Sequence, residues 1–275
     1  MYDVDMHVHT SASDGIFSPR EIVDWGVKLG MKAIAITDHD TIDGVKEAIE
    51  ISKKYSDFMM IPGIEFSTFY NDIEVHVLGY FIDFANNIIV EITNKIKEQR
   101  LERSKKIIQR LRNLQYDVDF AEVCEQSNKG AIGRPHIARI LVSKGYVASI
   151  EEAFEKLLGR GKPAYAERFK LNVEEAIKII REAKGIPVLA HPGLIDKTIN
   201  IETLIHKGFK GIEVFHTKHS TEDSKKYLDL AKKFHLFVTG GSDYHDILIN
   251  GVPSIGSVGI SYELMTRMKE SLKNL

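Results

Sequence analysis

The chain has 275 residues but a single cysteine, Cys124, so no internal disulfide can form and a fold stapled by cross-links is excluded. No apolar run approaches the about 20 residues that span a bilayer, and the first residues, MYDVDMHVHT, carry acids where a secretory leader needs basic residues and an apolar stretch. Charge of one sign is lacking too. The net charge of −2 gives no overall basic field for long nucleic acid. There is no Gly-x-Ser-x-Gly elbow, no P-loop and no Gly-x-Gly-x-x-Gly fingerprint. No repeat or low-complexity segment interrupts the sequence. These absences point to a cytoplasmic protein with no membrane segment and no obligate protein partner. At this length one large α/β domain, or one domain with an insertion, can bury a core of its own.

Apolar strands alternate with amphipathic helices along most of the chain. Strands are expected over residues 2–8, 31–37, 58–66, 74–81, 186–190, 211–215 and 236–240. Ser18-Pro19-Arg20-Glu21 opens a helix that Gly30 ends, residues 42–55 read as another, and Asn172 opens a third. The tail from Tyr262 is helical. Seven strands with helices between most of them suit a parallel α/β barrel. Residues 86–165 break this rhythm with long helical patterns and no strand, including a capping box at Ser149–Glu152. They are read as a helical insertion forming a lid or cap, the alternative being barrel helices with longer loops. The barrel then comprises residues 1–85 and 166–275.

The 11 histidines are the main chemical signal. His7 and His9 stand two apart at the end of the first strand, so both rings share one face. Asp14 lies in the following loop, Asp38-His39-Asp40 follows the second strand, and Glu65 lies near the end of the third. His76 lies on the fourth, His191 follows the fifth, and Asp243 and His245 follow the seventh. Carboxy ends of barrel strands meet at one mouth, which would bring His7, His9, Asp14, His39, Glu65, His76, His191, Asp243 and His245 together. Imidazole with carboxylate and no thiolate suits manganese, iron or zinc and excludes a cysteine-based structural zinc site. Nine such groups are too many for one ion and imply two or three, with a shared carboxylate as bridge. Clustered divalent ions activate water and neutralise charge on a reacting phosphoryl group, so the expected chemistry is phosphate-ester hydrolysis.

Asp5-Met6-His7-Val8-His9-Thr10, Thr37-Asp38-His39-Asp40-Thr41, His191-Pro192-Gly193 and Gly241-Ser242-Asp243-Tyr244-His245 resemble, in order, the four motifs of the PHP (polymerase and histidinol phosphatase) family. The resemblance implies a distorted seven-stranded (β/α) barrel and a trinuclear site. His7, His9, Glu65 and Asp243 would hold one ion. Glu65 would bridge to a second ion on His76 and His191, and Asp14, His39 and His245 would hold the third. A metal-activated hydroxide would be the nucleophile, with Asp14, His39, Glu65 and Asp243 at the reacting centre. Asp38 and Asp40 either orient ligand histidines or cap helices.

Gly133-Arg134-Pro135-His136-Ile137-Ala138 and the stretch from Ala153-Phe154 to Ala164-Tyr165 resemble one branch of that family, stand-alone phosphoesterases of nucleotides. The resemblance implies a small phosphorylated substrate: a nucleoside monophosphate, a 3′,5′-bisphosphonucleotide or short 5′-phosphorylated RNA. Arg134 and His136 are candidate phosphate contacts, through a forked guanidinium and the start of a helix, or else a surface arginine and a core histidine. Lys218 and His219, after the sixth strand, are further candidate substrate contacts, whereas His216 reads equally as a core residue. Residues 95–112 carry eight basic and two acidic side chains. That run either draws anions to the cavity or is a solvated helix face. Rival readings are a 5′-3′ exoribonuclease, a phosphatase of another metabolite such as histidinol phosphate, and a metal-bound module without turnover.

Overall fold

The structure, a computed structural model, describes residues 2–126, 132–167 and 169–274. Residues 127–131, within the expected helical segment, lie outside the described residues, as do Met1, Arg168 and Leu275. The chain opens with β1 (Val4–Val8), α1 (Pro19–Lys28), β2 (Ala33–Ile36) and α2 (Asp43–Ser52). It continues through β3 (Met59–Tyr70) and β4 (Ile73–Tyr80) into helices α3 (Asn87–Asn113), α4 (Phe120–Gln126), α5 (Arg134–Ser143) and α6 (Ile150–Ala153). The last runs into a π-helical turn, Phe154–Leu158. The remaining elements are β5 (Leu171–Asn172), α7 (Val173–Glu182), β6 (Ile186–Leu189), α8 (Ile201–Ile205), β7 (Gly211–His216), α9 (Thr221–Lys233), β8 (Phe237–Gly241), β9 (Leu248–Ile249), β10 (Val252–Pro253) and α10 (Tyr262–Ser271).

Seven strands form a nearly closed barrel in the order β1-β2-β3-β4-β6-β7-β8, with β5 paired to the far end of β3. The edges are drawn together beyond β8, where His9 N–H donates to Tyr244 O at 2.9 Å and Val8 bridges Tyr244. The core strands β1, β2 and β6 are buried along their whole length, as strands covered on both faces must be. The sequence reading expects parallel strands throughout, and here the structure differs: β4 runs antiparallel to both β3 and β6. The cause is local. Asn71 and Asp72 both adopt left-handed φ, 50° and 60°, which closes a two-residue hairpin and reverses the chain without a crossover helix.

Helix starts follow their local chemistry. Ser18 accepts from Glu21 N–H while Glu21 reaches back to Ser18 N–H, and Asn172 and Glu175 do the same for α7. Ser149 accepts from Glu152 N–H at 3.2 Å, while the Glu152 carboxylate takes Ala148 N–H. Gly30, at φ 70°, turns the chain out of α1.

The helices between β4 and β5 share an apolar cluster of their own. Ile107, Ile108 and Leu111 of α3 pack with Val123, Ile137, Leu141, Leu157 and Ala164. The first turns of α3 instead sit on the barrel cluster through Ile89 and Ile96. One long helix therefore links the two cores, and it carries the basic run 95–112. Part of that run is engaged in specific contacts. Lys97 pairs with Asp43 at 2.7 Å, Arg100 with Asp40, and Arg112 with Asp119 at 2.9 Å, while Arg103 donates to Ala166 O at 2.7 Å. No helix of the described residues is long and apolar enough to cross a membrane.

Candidate metal centre

The nine side chains singled out by sequence converge on one mouth of the barrel. Glu65 is at their centre, fully buried. Its Oε2 lies 3.4 Å from His7 Nε2, 3.3 Å from His9 Nε2 and 2.9 Å from His39 Nδ1. Its Oε1 lies 2.9 Å from His76 Nδ1 and 3.0 Å from His191 Nε2. Asp243 Oδ1 faces His7 Nε2 at 3.4 Å and His9 Nε2 at 3.2 Å. Asp14 Oδ1 faces His245 Nε2 at 3.4 Å and His9 Nδ1 at 3.9 Å.

Each element places its residue for a physical reason. His7 and His9 share a face of β1 and its extension, by the two-residue period of a strand. His76 reaches the mouth because β4 is reversed, which brings its N-terminal half to the carboxy end of the parallel strands. It pairs with Ser67, one diagonal step from Glu65. Asp40, His191 and Asp243 hold left-handed φ of 57°, 22° and 51°. Such conformations cost of order 1 kcal/mol each and persist where the surroundings impose them, commonly at functional sites.

Three overlapping groups have ligand atoms within 4.8 Å of one another: His7, His9, Glu65 and Asp243; His9, Asp14, His39 and His245; and His39, Glu65 and His76. The first matches the set implied by the PHP resemblance. The second adds His9, whose Nε2 faces Glu65 and Asp243 while its Nδ1 faces Asp14. The third holds His39 in place of the expected His191, although His191 Nε2 lies 3.0 Å from Glu65 Oε1. The donors fit divalent cations. His7 Nε2, both nitrogens of His9, His39 Nδ1, His191 Nδ1, Asp14 Oδ1 and Glu65 Oε2 are buried and have no hydrogen-bond partner among the described residues. Buried polar atoms left so are costly unless something else satisfies them.

The electrostatics agree. Burial would raise the Glu65 carboxyl, but His39, His76 and His7 around it hold it well below the usual range. Burial likewise opposes ionisation of Asp14 and Asp243, yet His245 and His39 beside the first and His7 and His216 beside the second keep both low. Burial, with His245 and His39 nearby, lowers His9 to about 3, so its ring is neutral as a ligand must be. Burial pulls His76 and His245 down, but Glu65 and Asp14 respectively outweigh it and lift each to about 10, so each ring must release a proton before it can hold a metal ion.

Glu213, Asp5 and His216 complete the surroundings, and sequence reasoning missed the first two. Glu213 Oε1 accepts from His7 Nδ1–H at 3.0 Å, and its Oε2 accepts from His191 N–H at 2.8 Å. Asp5 accepts from the amides of His7, Ser242 and Gly256 at 3.1, 2.9 and 2.8 Å, which ties β1 to the loop after β8. His216 is buried with Nε2 3.2 Å from Asp243 Oδ2 and Nδ1 accepting from Lys218 N–H at 3.1 Å. An acid inside an otherwise apolar strand, as in Gly-Ile-Glu-Val-Phe, was the available signal.

Asp38 and Asp40 make contacts of another kind. Asp38 accepts from Thr10 N–H, Thr10 Oγ1 and Ser13 Oγ at 2.7, 2.8 and 2.6 Å, and so shapes the loop that presents Asp14. Asp40 accepts from Ser67 N–H at 2.8 Å and pairs with Arg100. The substrate candidates are more dispersed. His136 is buried, with Nδ1 accepting from Gly133 N–H at 3.0 Å. Arg134 donates to Leu158 O at 3.2 Å and lies over the Phe154 ring at 5.1 Å. The Lys218 side chain is exposed. His219 has both nitrogens engaged: Nδ1 donates to Val214 O at 2.9 Å and Nε2 accepts from Gly193 N–H at 3.1 Å. That makes it a brace for the His191-Pro192-Gly193 turn.

The PHP domain family matches residues 5–186, which contain six of the nine converging side chains. The chain belongs to the PHP family. The 5′-3′ exoribonuclease Rnm of Escherichia coli is 34% identical over 248 residues, spanning 88% of this PHP chain and 84% of that protein. The 3′,5′-nucleoside bisphosphate phosphatase of Chromobacterium violaceum is 33% identical over 252 residues, spanning 89% and 88%. A solved structure of a Chromobacterium violaceum amidohydrolase, with bound sulfate and no metal, superposes with a TM-score of 0.85 at 30% identity, covering 98% of this chain and 96% of the other. A Bifidobacterium adolescentis structure, proposed to be a metal-dependent phosphoesterase, gives the same score and identity over 97% and 95%. The PHP protein is a metal-dependent phosphoesterase whose histidine and carboxylate clusters are able to bind metal ions.

Proposed function

We propose that this PHP protein hydrolyses phosphate monoesters of nucleotides, a nucleoside monophosphate or a 3′,5′-bisphosphonucleotide, at a centre of two or three divalent ions. The observation that carries the reading is the Glu65 carboxylate, buried and facing five imidazoles, three on one oxygen and two on the other. His7, His9, Glu65 and Asp243 would hold one ion and Asp14, His39 and His245, with His9 beside them, another. His76 and His191, with Glu65 shared, would hold the third. Manganese, iron or zinc would supply Lewis acidity there, lowering the pKa of water and neutralising phosphoryl charge.

The protein's own groups do the positioning. Asp14, Glu65 and Asp243 bring fixed negative charge to the mouth, and with His39 they would face the reacting phosphoryl group. Glu213 and Asp5 hold β1 and its histidines in register. α5 flanks the mouth on the Asp14 side, since Arg139 in its second turn donates to Asp14 O at 3.0 Å. Arg134 and His136 on its first turn would contact substrate phosphate, and Lys218 would approach from the loop after β7. Burial, only partly opposed by Asp14, lowers His136 to about 4, so it would act as a neutral hydrogen-bond donor. The helical segment 86–165 would then close over the mouth as a cap.

A 5′-3′ exoribonuclease acting on short 5′-phosphorylated RNA is the second reading, favoured by the 34% identity to Rnm. Phosphate or mononucleotide release from AMP, a 3′,5′-bisphosphonucleotide, histidinol phosphate and short 5′-phosphorylated RNA, each with manganese, iron or zinc, separates the two. Free phosphate from the bisphosphonucleotide in preference to RNA supports the phosphatase. Mononucleotides from RNA support the exonuclease, and no metal-dependent turnover on any of the four would remove both. His9→Ala is the control, expected to lose bound metal and at least about 100-fold in activity while staying folded, because ligand loss exceeds the effect of losing a supporting partner.

A further inference from the structure

Two arginines of the helical segment reach across to the loops that present ligand-type residues. Arg139, on α5, donates from Nη2 to the backbone carbonyl of Asp14 at 3.0 Å. The same nitrogen lies 3.9 Å from Asp246 Oδ2, on the residue after His245. Its guanidinium thus straddles the loop after β1 and the loop after β8, which come from opposite ends of the chain. These loops must stay in register for Asp14 Oδ1 to remain 3.4 Å from His245 Nε2. Ile16 N–H to His245 O, at 2.9 Å, is a backbone link across the same seam.

Arg100, on α3, is paired with the buried Asp40 carboxylate. Asp40 directly follows His39, sits at φ 57° and accepts from Ser67 N–H at 2.8 Å. A buried carboxylate in a strained backbone needs a charged partner to stay put, and Arg100 is that partner. The two arginines therefore bear on one group: Arg139 directly on the Asp14 carbonyl and on Asp246 beside His245, Arg100 on Asp40 beside His39. The group of His7, His9, Glu65 and Asp243 receives no hydrogen bond or ion pair from either arginine among the described residues.

We propose that Arg100 and Arg139 are positioning residues for the cation site of His9, Asp14, His39 and His245, so that the helical segment is part of that site's frame. The proposal rests on the metal-centre reading above. It makes the occupancy of that site, more than that of the group of His7, His9, Glu65 and Asp243, depend on contacts from outside the barrel.

The test is calorimetric titration of metal-free, full-length protein with manganese, with bound equivalents counted after desalting. In Arg139→Met, one class of manganese weakens by about 10- to 100-fold, the range seen when a supporting partner of a ligand is lost, while the rest bind as in the wild type. Arg139→Lys, which keeps charge but not the fork, recovers part of that loss. Arg100→Lys weakens the same class. Wild-type stoichiometry and affinity in Arg139→Met and Arg100→Lys would overturn the proposal, and so would equal weakening of every class, which marks general loosening. If Arg139→Met does not fold, the two lysine variants decide on the same readout. Absence of manganese binding by the wild type would sink the metal-centre reading and this proposal with it. Wild-type binding unaltered by the variants sinks this proposal alone.

Discussion

His7 Nδ1–H is held by the buried Glu213 carboxylate at 3.0 Å, and this turns His7 Nε2 toward Glu65 and Asp243, 3.4 Å from each. A carboxylate behind a histidine fixes the tautomer and raises ligand basicity. Glu213→Gln keeps the shape and removes the charge. We expect metal affinity to fall by about 10- to 100-fold, as for other such partners, with near-normal folding. Manganese titration of the metal-free variant checks this, and wild-type affinity would deny Glu213 the role.

Gly241 ends β8 where β1 passes closest. A Cβ there would meet His7 Cβ at 2.3 Å and His7 N at 2.4 Å, both rigid parts of the neighbouring strand. Gly241→Ala must therefore push β1 aside. We expect a loss of about 1–3 kcal/mol in urea unfolding, the usual cost of forced overpacking, together with weaker metal binding through displaced His7. Alanine tolerated without change in either measurement would contradict the close approach.

His136 carries the clearest pH signature away from the converging histidines. Burial lowers it from 6.5 to about 4. The unfolded chain then binds the proton more readily than the folded one between these values, so stability from this group is full above about 6.5 and is lost as the pH falls toward 4. The size is about 3 kcal/mol by the usual conversion of pKa to free energy. His136→Gln should remove that part of the slope. Urea melts of metal-free protein from pH 4 to 7 measure it, and parallel slopes for variant and wild type would refute it.

Arg134 is placed by Leu158 O and the Phe154 ring, at the start of the helix that flanks the mouth. If it also meets substrate phosphate, Arg134→Ala lowers kcat/KM by about 10- to 100-fold, the worth of a charge-assisted hydrogen bond. KM should carry most of the loss, with metal content unchanged. Steady-state kinetics on the best substrate of the panel decide this, and unaltered kinetics would take Arg134 out of the site.

Much of the centre was legible in the linear order because strand periodicity and barrel geometry are strong constraints. A His-x-His on a strand must share a face, and the carboxy ends of parallel strands must meet, so His7, His9, His39, His191, Asp243 and His245 could be placed together before any coordinates. His76 was placed correctly for an incomplete reason. Its strand runs the other way, and it reaches the mouth only through the tight turn at Asn71-Asp72. The helix starts at Ser18, Ser149 and Asn172 were readable because capping is a contact between residues three apart.

The order of residues alone determined which side chains gather at the mouth and which strands present them, since both follow from periods of two and from local hydrogen bonding. Only the tertiary structure decided how they are held: Glu213 behind His7, 206 positions away, Arg139 against Asp14, 125 away, and Asp5 against Ser242, 237 away. These contacts join segments with no local rule between them. They exist because closing the barrel buries charges that must then find partners, wherever in the chain those partners lie.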